Sequence, residues 1–225
     1  MSSLDDAESV VFKLVKEYLT KKTFFSIRDI ISFINNRVRY NPNINENRIE
    51  LILKDLIKKR IIIPGTKLMK NNIIEHPKRN EIFNYIKKNP SNINEIMKEL
   101  KIGSNQALWH LSCLEKFQFV RSKQINNHRI FFKFDSNPKL DPFYYYLKKD
   151  IVQNILDFIK LENKALKITE IANGLKKNHT TIKKYIDILT DIKLINIEKE
   201  KNRNLYKLNQ KNYSNIRKSI QGEKD

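Results

Sequence analysis

Ser104-Asn105-Gln106 opens a stretch in which Ala107, Leu111 and Leu114 recur at steps of four and three. A helix with that spacing turns its apolar residues to one face and leaves the three polar side chains outward, with Leu108, Trp109 and Ser112. Asn and Gln amides pair bidentately with adenine edges in a DNA major groove, and the unpartnered N–H groups of a helix start suit a phosphate. Farther on, Arg121, Lys123, His128, Arg129 and Lys133 place cations on or beside two short alternating runs, where they would lie over a sugar–phosphate backbone. A second set follows the same plan. His179, Thr180, Thr181, Lys183 and Lys184 face outward, and Lys199, Lys201, Arg203 and Lys207 come after them, diluted by Glu198 and Glu200. The lysines suit phosphates as point charges, and the threonines suit phosphate or base. A third set, Asn47, Arg48, Glu50, Leu51 and Lys54, offers a carboxylate and an apolar side chain instead. It predicts an interaction surface, with Arg37 and Arg39 the features that speak for DNA there.

Other chemistries find no equipment. The four glycines (Gly65, Gly103, Gly174, Gly222) never cluster, which excludes a P-loop and a dinucleotide fingerprint. One cysteine, Cys113, excludes an internal disulfide framework and a multi-Cys zinc site, and His76, His110, His128 and His179 are scattered. His110 is expected to pack beside Leu111 and Leu114 as a satisfied, semi-buried histidine rather than to bind metal. No nucleophile–base pair or metal-ligand spacing stands out, so neither an enzyme nor a cofactor is expected. The 225 residues carry 44 Lys+Arg against 25 Asp+Glu, a net +19. Lys, Ile and Asn crowd the chain together, as AT-rich codons would produce, so the placement of charge says more than its sum. No apolar run is long enough to span a membrane and the N-terminus lacks a secretory apolar region, giving a cytoplasmic expectation.

The elements that must hold these residues repeat. Ile49, Leu53, Leu56 and Ile62, then Ala107, Leu111, Leu114 and Val120, then Ile182, Ile186, Leu189 and Ile195 all run at steps of four, three and six. The last step crosses a helix end into an extended residue, so the repeated unit is larger than one helix. Ile93, Ile96, Met97 and Leu100 match Ile168, Ile171, Ala172 and Leu175, each a short helix before the longer one. Helices are predicted over 4–21, 26–36 and 77–88, with a capping box at Asn92 and Glu95. Asp141-Pro142 is expected to cap and open a long helix carrying Leu147, Ile151, Ile155 and Phe158. The run 143–146 is expected to pack a domain junction. Hairpins are predicted over 120–134 and 195–208, whereas the run after Ile63-Pro64-Gly65 is short. Val10, Val11, Leu14, Val15 and Tyr18 form an apolar stripe expected to be partly exposed as an interface. Residues 209–225 read as a basic polar tail.

Helix, helix, helix, hairpin is the winged-helix layout. Residues 79–132 resemble the archaeal and bacterial winged helix-turn-helix transcription regulators of the ArsR/MarR type, through Ser104, His110-Leu111, Leu114-Glu115 and Phe119-Val120-Arg121. Residues 175–195 are similar, with Thr181-Ile182 and Leu194-Ile195 in equivalent places. The chain departs from the pattern at Phe117, where such regulators carry Gly, and it lacks the paired Cys and His of metal-sensing members. The resemblance implies a mainly α fold with small β-wings (α+β) in three tandem winged-helix domains: 1–74 for assembly, 75–138 and 139–208 for DNA, then the tail 209–225. It implies a double-stranded DNA-binding transcription regulator, with a homodimer or protein partner held through 1–74. The alternative is a tandem winged-helix protein scaffold, as in an ESCRT-II-like subunit or an RNA-polymerase accessory factor. Fold alone does not separate the two.

Overall fold

The computed structural model describes residues 6–22, 26–200 and 203–222. Leu4, in the first expected helix, and Lys201, an expected hairpin cation, lie outside them. Helices α1 (Asp6–Lys21), α2 (Ile27–Val38) and α3 (Glu46–Lys58) lead to an isolated bridge between Ile62 and Met69, then to α4 (Lys70–Glu75). Next come α5 (Pro77–Lys88), β1 (Ser91–Asn92), α6 (Ile93–Leu100), α7 (Ser104–Lys116), β2 (Val120–Ile125) and β3 (His128–Lys133). A 3₁₀ turn at Pro138–Leu140 precedes α8 (Asp141–Tyr146), α9 (Asp150–Glu162) and α10 (Ile168–Gly174). The last elements are α11 (His179–Asp191), β4 (Ile195–Glu200), β5 (Arg203–Leu208) and α12 (Gln210–Gly222). The fold is mainly helical with small antiparallel sheets, and it divides into two compact units, residues 1–84 with 100–120 and residues 85–99 with 121–225.

The first unit has a core built from α1, α2 and α3. Val11 and Val15, Ile30 and Ile34, and Ile49 and Leu53 are all within 1% of complete burial. Side chains of this size each contribute about 1.5–3 kcal/mol on burial. Ser26 Oγ accepts from the Asp29 N–H and Asn45 Oδ1 from the Arg48 N–H, which fixes where α2 and α3 start. The α1 stripe is a correction to the sequence reading. Val11, Val15 and Tyr18 belong to this core, Leu14 packs against it half-buried, and only Val10 is exposed, so the stripe is no open interface. Helix α4 was not expected, because KNNIIE has little apolar periodicity. The fully buried Ile73 holds it in place.

The second unit gathers α9, α10, α11, β4, β5 and α12 around Val152, Ile155, Ile171, Ile182, Ile186 and Leu189. In one sheet β3 lies between β1 and β2, with Ser91 opposite Phe131; in the other, β4 and β5 pair from Ile195–Leu208 to Glu200–Arg203. The predicted box at the start of α6 forms in both directions, Asn92 N–H to Glu95 Oε2 and Glu95 N–H to Asn92 Oδ1. Burial works against the Glu95 carboxylate, but donors from Lys148 and Asn92 outweigh it and hold its pKa below the usual range. Three expectations are corrected here. The long helix after Pro142 is two helices, parted where Lys149 is extended. Asp141 does not cap it but is fully buried and paired with Arg121. Residues 210–222 are helix rather than tail. Asn209 caps α12 through the Asn212 N–H, Ile216 is buried, Tyr213 and Ile220 pack on the core, and Arg217 donates to Gln153 Oε1.

One terminator occurs four times among the described residues. After α3, α7, α10 and α11 the left-handed residues Arg60, Gln118, Lys176 and Lys193 (φ 55, 58, 51 and 61°) turn the chain. The next N–H returns to a carbonyl five residues back: Ile61 to Leu56, Phe119 to Leu114, Lys177 to Ala172 and Leu194 to Leu189. Left-handed backbone with that return bond is the Schellman ending, usually built on glycine. Phe117 itself is right-handed (φ −95°) and buried. The position that favours glycine is thus Gln118, one residue beyond the one the resemblance pointed to.

Candidate nucleic-acid interface

In the second unit, α11 buries Ile182, Ile186 and Leu189 and exposes His179, Thr180, Thr181, Lys183 and Lys184. Asn178 caps it by accepting from the Thr180 N–H at 2.8 Å. Among the described residues neither lysine enters an ion pair, so both ammonium groups face solvent uncommitted. The hairpin β4–β5 follows three residues after α11. Lys199 and Arg203 are exposed on it, Arg203 directly across from Glu200, and Lys207 lies 3.9 Å from Glu198. The two glutamates therefore offset part of the hairpin charge, while the helix face keeps all of its own.

Helix α7, in the first unit, exposes Ser104, Asn105, Gln106, Leu108, Trp109 and Ser112, as the spacing predicts. Its N-cap is Gly103, which supplies no side-chain acceptor, unlike Asn45 before α3 and Asn178 before α11. The first N–H groups of α7 are therefore the ones left to an external acceptor. Trp109, exposed on this face, meets the His110 ring edge-on at 4.9 Å, and the Arg79 guanidinium lies 5.5 Å from its ring centroid. His110 packs on the buried side of α7, but it is fully rather than partly buried, and its Nδ1 has no partner among the described residues, so it is not the satisfied histidine expected. The His76 ring sits 5.0 Å away, and the buried Arg79 leaves Nε and Nη1 unpaired. Burial, then the positive charges of His76, Arg79 and Lys78, push the His110 pKa down.

Strands β2 and β3 dispose of their cations differently from β4 and β5. Arg121 makes a bidentate pair with Asp141, at 2.8 and 2.9 Å, and donates to Ser136 O and Oγ. It also stacks 5.0 Å from the Phe132 ring centroid, with its side chain 20% exposed. This corrects its assignment as a phosphate ligand: the fork that would grip a phosphate is already filled by a carboxylate. Lys123 lies 3.8 Å from Asp141 and is half-exposed. Arg129 donates to Ser122 Oγ and stacks on Phe131, and Lys133 pairs with Asp135 at 3.0 Å. The signal that could have exposed the Arg121 pair is Asp141 itself, twenty residues away and read locally as a helix opener.

In α3, Glu50 pairs with Lys54 at 3.0 Å and Leu51 is 66% exposed, so the outward face is neutralised and partly apolar. Arg37 is engaged by Glu17 at 3.0 Å. Among the described residues no three His, Cys, Asp or Glu side chains gather as metal ligands, and no helix is long and apolar enough to cross a membrane.

No protein-family model matches the chain. It is 25% identical over 210 residues to a protein of Methanocaldococcus jannaschii named as an uncharacterized HTH-type transcriptional regulator. The match covers 90% of this chain and 53% of that protein, so the chain spans about half of the relative's length.

Proposed function

We propose that the chain binds double-stranded DNA as a transcription regulator of tandem winged-helix build, with domains at 1–74, 75–138 and 139–208. The observation that carries this reading is the outward face of α11, where Thr180, Thr181, Lys183 and Lys184 stand together, exposed, with no ion pair on either lysine among the described residues. A protein scaffold has no use for two uncommitted ammonium groups beside hydroxyls on a helix start, whereas phosphates and base edges do. The distant relative is named as a transcriptional regulator, which favours a binding role over catalysis. Lys199 and Arg203 extend the contact onto the β4–β5 hairpin. Asn105 and Gln106 on α7 supply a second reading face, and Lys123 and Arg129 on the β2–β3 hairpin are further cations.

Residues 1–74 serve assembly in this reading, through the exposed Leu51 and the paired Glu50 and Lys54 of α3 rather than through α1. These two features are also what favours the scaffold alternative for that segment. Fluorescence anisotropy of a labelled duplex across a salt series tests the proposal. With Arg121 withdrawn, about five to seven phosphate contacts remain, for a log–log slope of roughly −4 to −6. A flat titration, or no binding at low salt, rejects DNA and promotes the scaffold.

A further inference from the structure

A groove in the first unit has an apolar floor and two cations at its edges. Phe12, Ile61, Ile74 and Phe119, all half-buried, line it together with Asn71, and the volume is about 570 Å³. This lies within the ~300–1,000 Å³ of small-molecule sites. Lys16 Nζ stands 5.1 Å from the Phe12 ring centroid and Lys70 Nζ 5.7 Å from that of Phe119. Each ammonium is thus held against an aromatic that lines the groove. The Phe119 ring is in turn fixed edge-on by Phe83 at 5.6 Å.

The two lysines are left over from the local ion pairing. Glu17 on α1 is taken by Lys21 and Arg37, Asp55 on α3 by Lys59, and Glu75 on α4 accepts from Asn72. Neither Lys16 nor Lys70 has a carboxylate partner among the described residues. Four apolar side chains left partly uncovered and two unneutralised cations beside them call for one occupant with both properties.

We propose that this groove binds an amphipathic carboxylate: an apolar chain or ring lying across Phe12, Ile61, Ile74 and Phe119, with its carboxylate between Lys16 and Lys70. A neutral hydrophobe would leave both ammonium groups unanswered, and an amphipathic cation would meet like charge at both edges. The inference stands apart from DNA binding, since it concerns other residues and needs no nucleic acid.

Decanoate is the probe, with decyltrimethylammonium as the cationic control. The full chain is titrated while isoleucine methyl resonances are followed by NMR. The expected result is saturable decanoate binding below roughly 1 mM with the Ile61 and Ile74 methyls shifting first. The cation should bind at least tenfold more weakly. The variant K16Q/K70Q, altered only at outward-reaching ammonium groups, should lose at least tenfold in decanoate affinity while keeping its circular dichroism. Shifts confined to other methyls, equal binding of the cation, or unchanged affinity in the variant would overturn the proposal. So would concentration-dependent self-association that broadens Ile61 and Ile74, because a second copy would then be the occupant.

Discussion

The segments α7–β3 and α11–β5 share one apolar pattern and end their helices on the same left-handed turn, yet they place their cations oppositely. In the first, Arg121 is folded inward onto Asp141 and Ser136, Lys133 is paired, and Arg129 lies on Phe131. In the second, Lys183, Lys184, Lys199 and Arg203 stay outward. A repeat therefore transmits the frame and not the task of each charge. In one copy a guanidinium is part of the packing, and in the other ammonium groups are available to a polyanion.

The largest expected effect tests the inward charge. Asp141→Ala leaves the Arg121 guanidinium four-fifths buried without its carboxylate, which should cost about 3–5 kcal/mol in urea unfolding followed by circular dichroism. Replacing Arg121 and Asp141 together by Met and Leu should restore most of that loss, whereas Lys199→Ala and Arg203→Ala should each stay within ~0.5 kcal/mol. If Asp141→Ala is as mild as the hairpin changes, the contrast between the two segments is wrong.

Next comes the outward charge. Replacing Lys183 and Lys184 by Ala should weaken duplex binding about ten- to hundredfold and reduce the magnitude of the salt slope by about two, since each phosphate contact adds roughly 0.9. Arg129→Ala should change the slope by about one at most. Equal losses from both would place the α11 face and the β2–β3 hairpin on the same footing.

Acidification separates the helices themselves. His110 on α7 stands where α11 carries Tyr185, and it is buried against His76, Arg79 and Lys78 with no acid among the groups that shift it. Its folded pKa lies below the ordinary value, so the unfolded chain takes up a proton that the folded chain refuses. Stability should be unaffected by this group at neutral pH and fall as pH drops through about 6.5 toward the folded value. His110→Gln should flatten that fall in urea midpoints measured between pH 7 and 5. A slope of opposite sign would mean that the site gains an acid on folding.

The smallest effect tests what the segments have in common. Gln118→Gly and Lys193→Gly relieve a left-handed backbone at the cost of a freer unfolded chain, for a net gain of about 0.5 kcal/mol each. The two gains should match, by thermal or urea unfolding.

Much of this frame is legible locally. The four-three-six spacing locates α3, α7 and α11 and the extended residues Ile62, Val120 and Ile195 beyond them, and Asn92 with Glu95 marks the start of α6. What is not legible is decided by partners distant in sequence. Asp-Pro reads as a helix opener, but Arg121 claims the aspartate from twenty residues away. Nothing in YYYLKKD announces a break. Lys148 reaches back to Pro90 O and Glu95, and the chain extends at Lys149. For α12 a local signal existed: Tyr213, Ile216 and Ile220 recur at three and four within a polar stretch. At the candidate interface, exposure follows periodicity and was readable, while the pairing of each cation was not.

Helix α12 also sets the order in which this protein can be made. The apolar cluster of the first unit draws on residues 7–69 and is complete early in synthesis. That of the second needs Tyr213, Ile216 and Ile220. At ~5–20 residues per second, a ribosome delivers those side chains roughly 7–30 s after the first cluster is whole. During that interval the second cluster lacks three of its members, and chaperones that bind exposed apolar chain have their longest opportunity there.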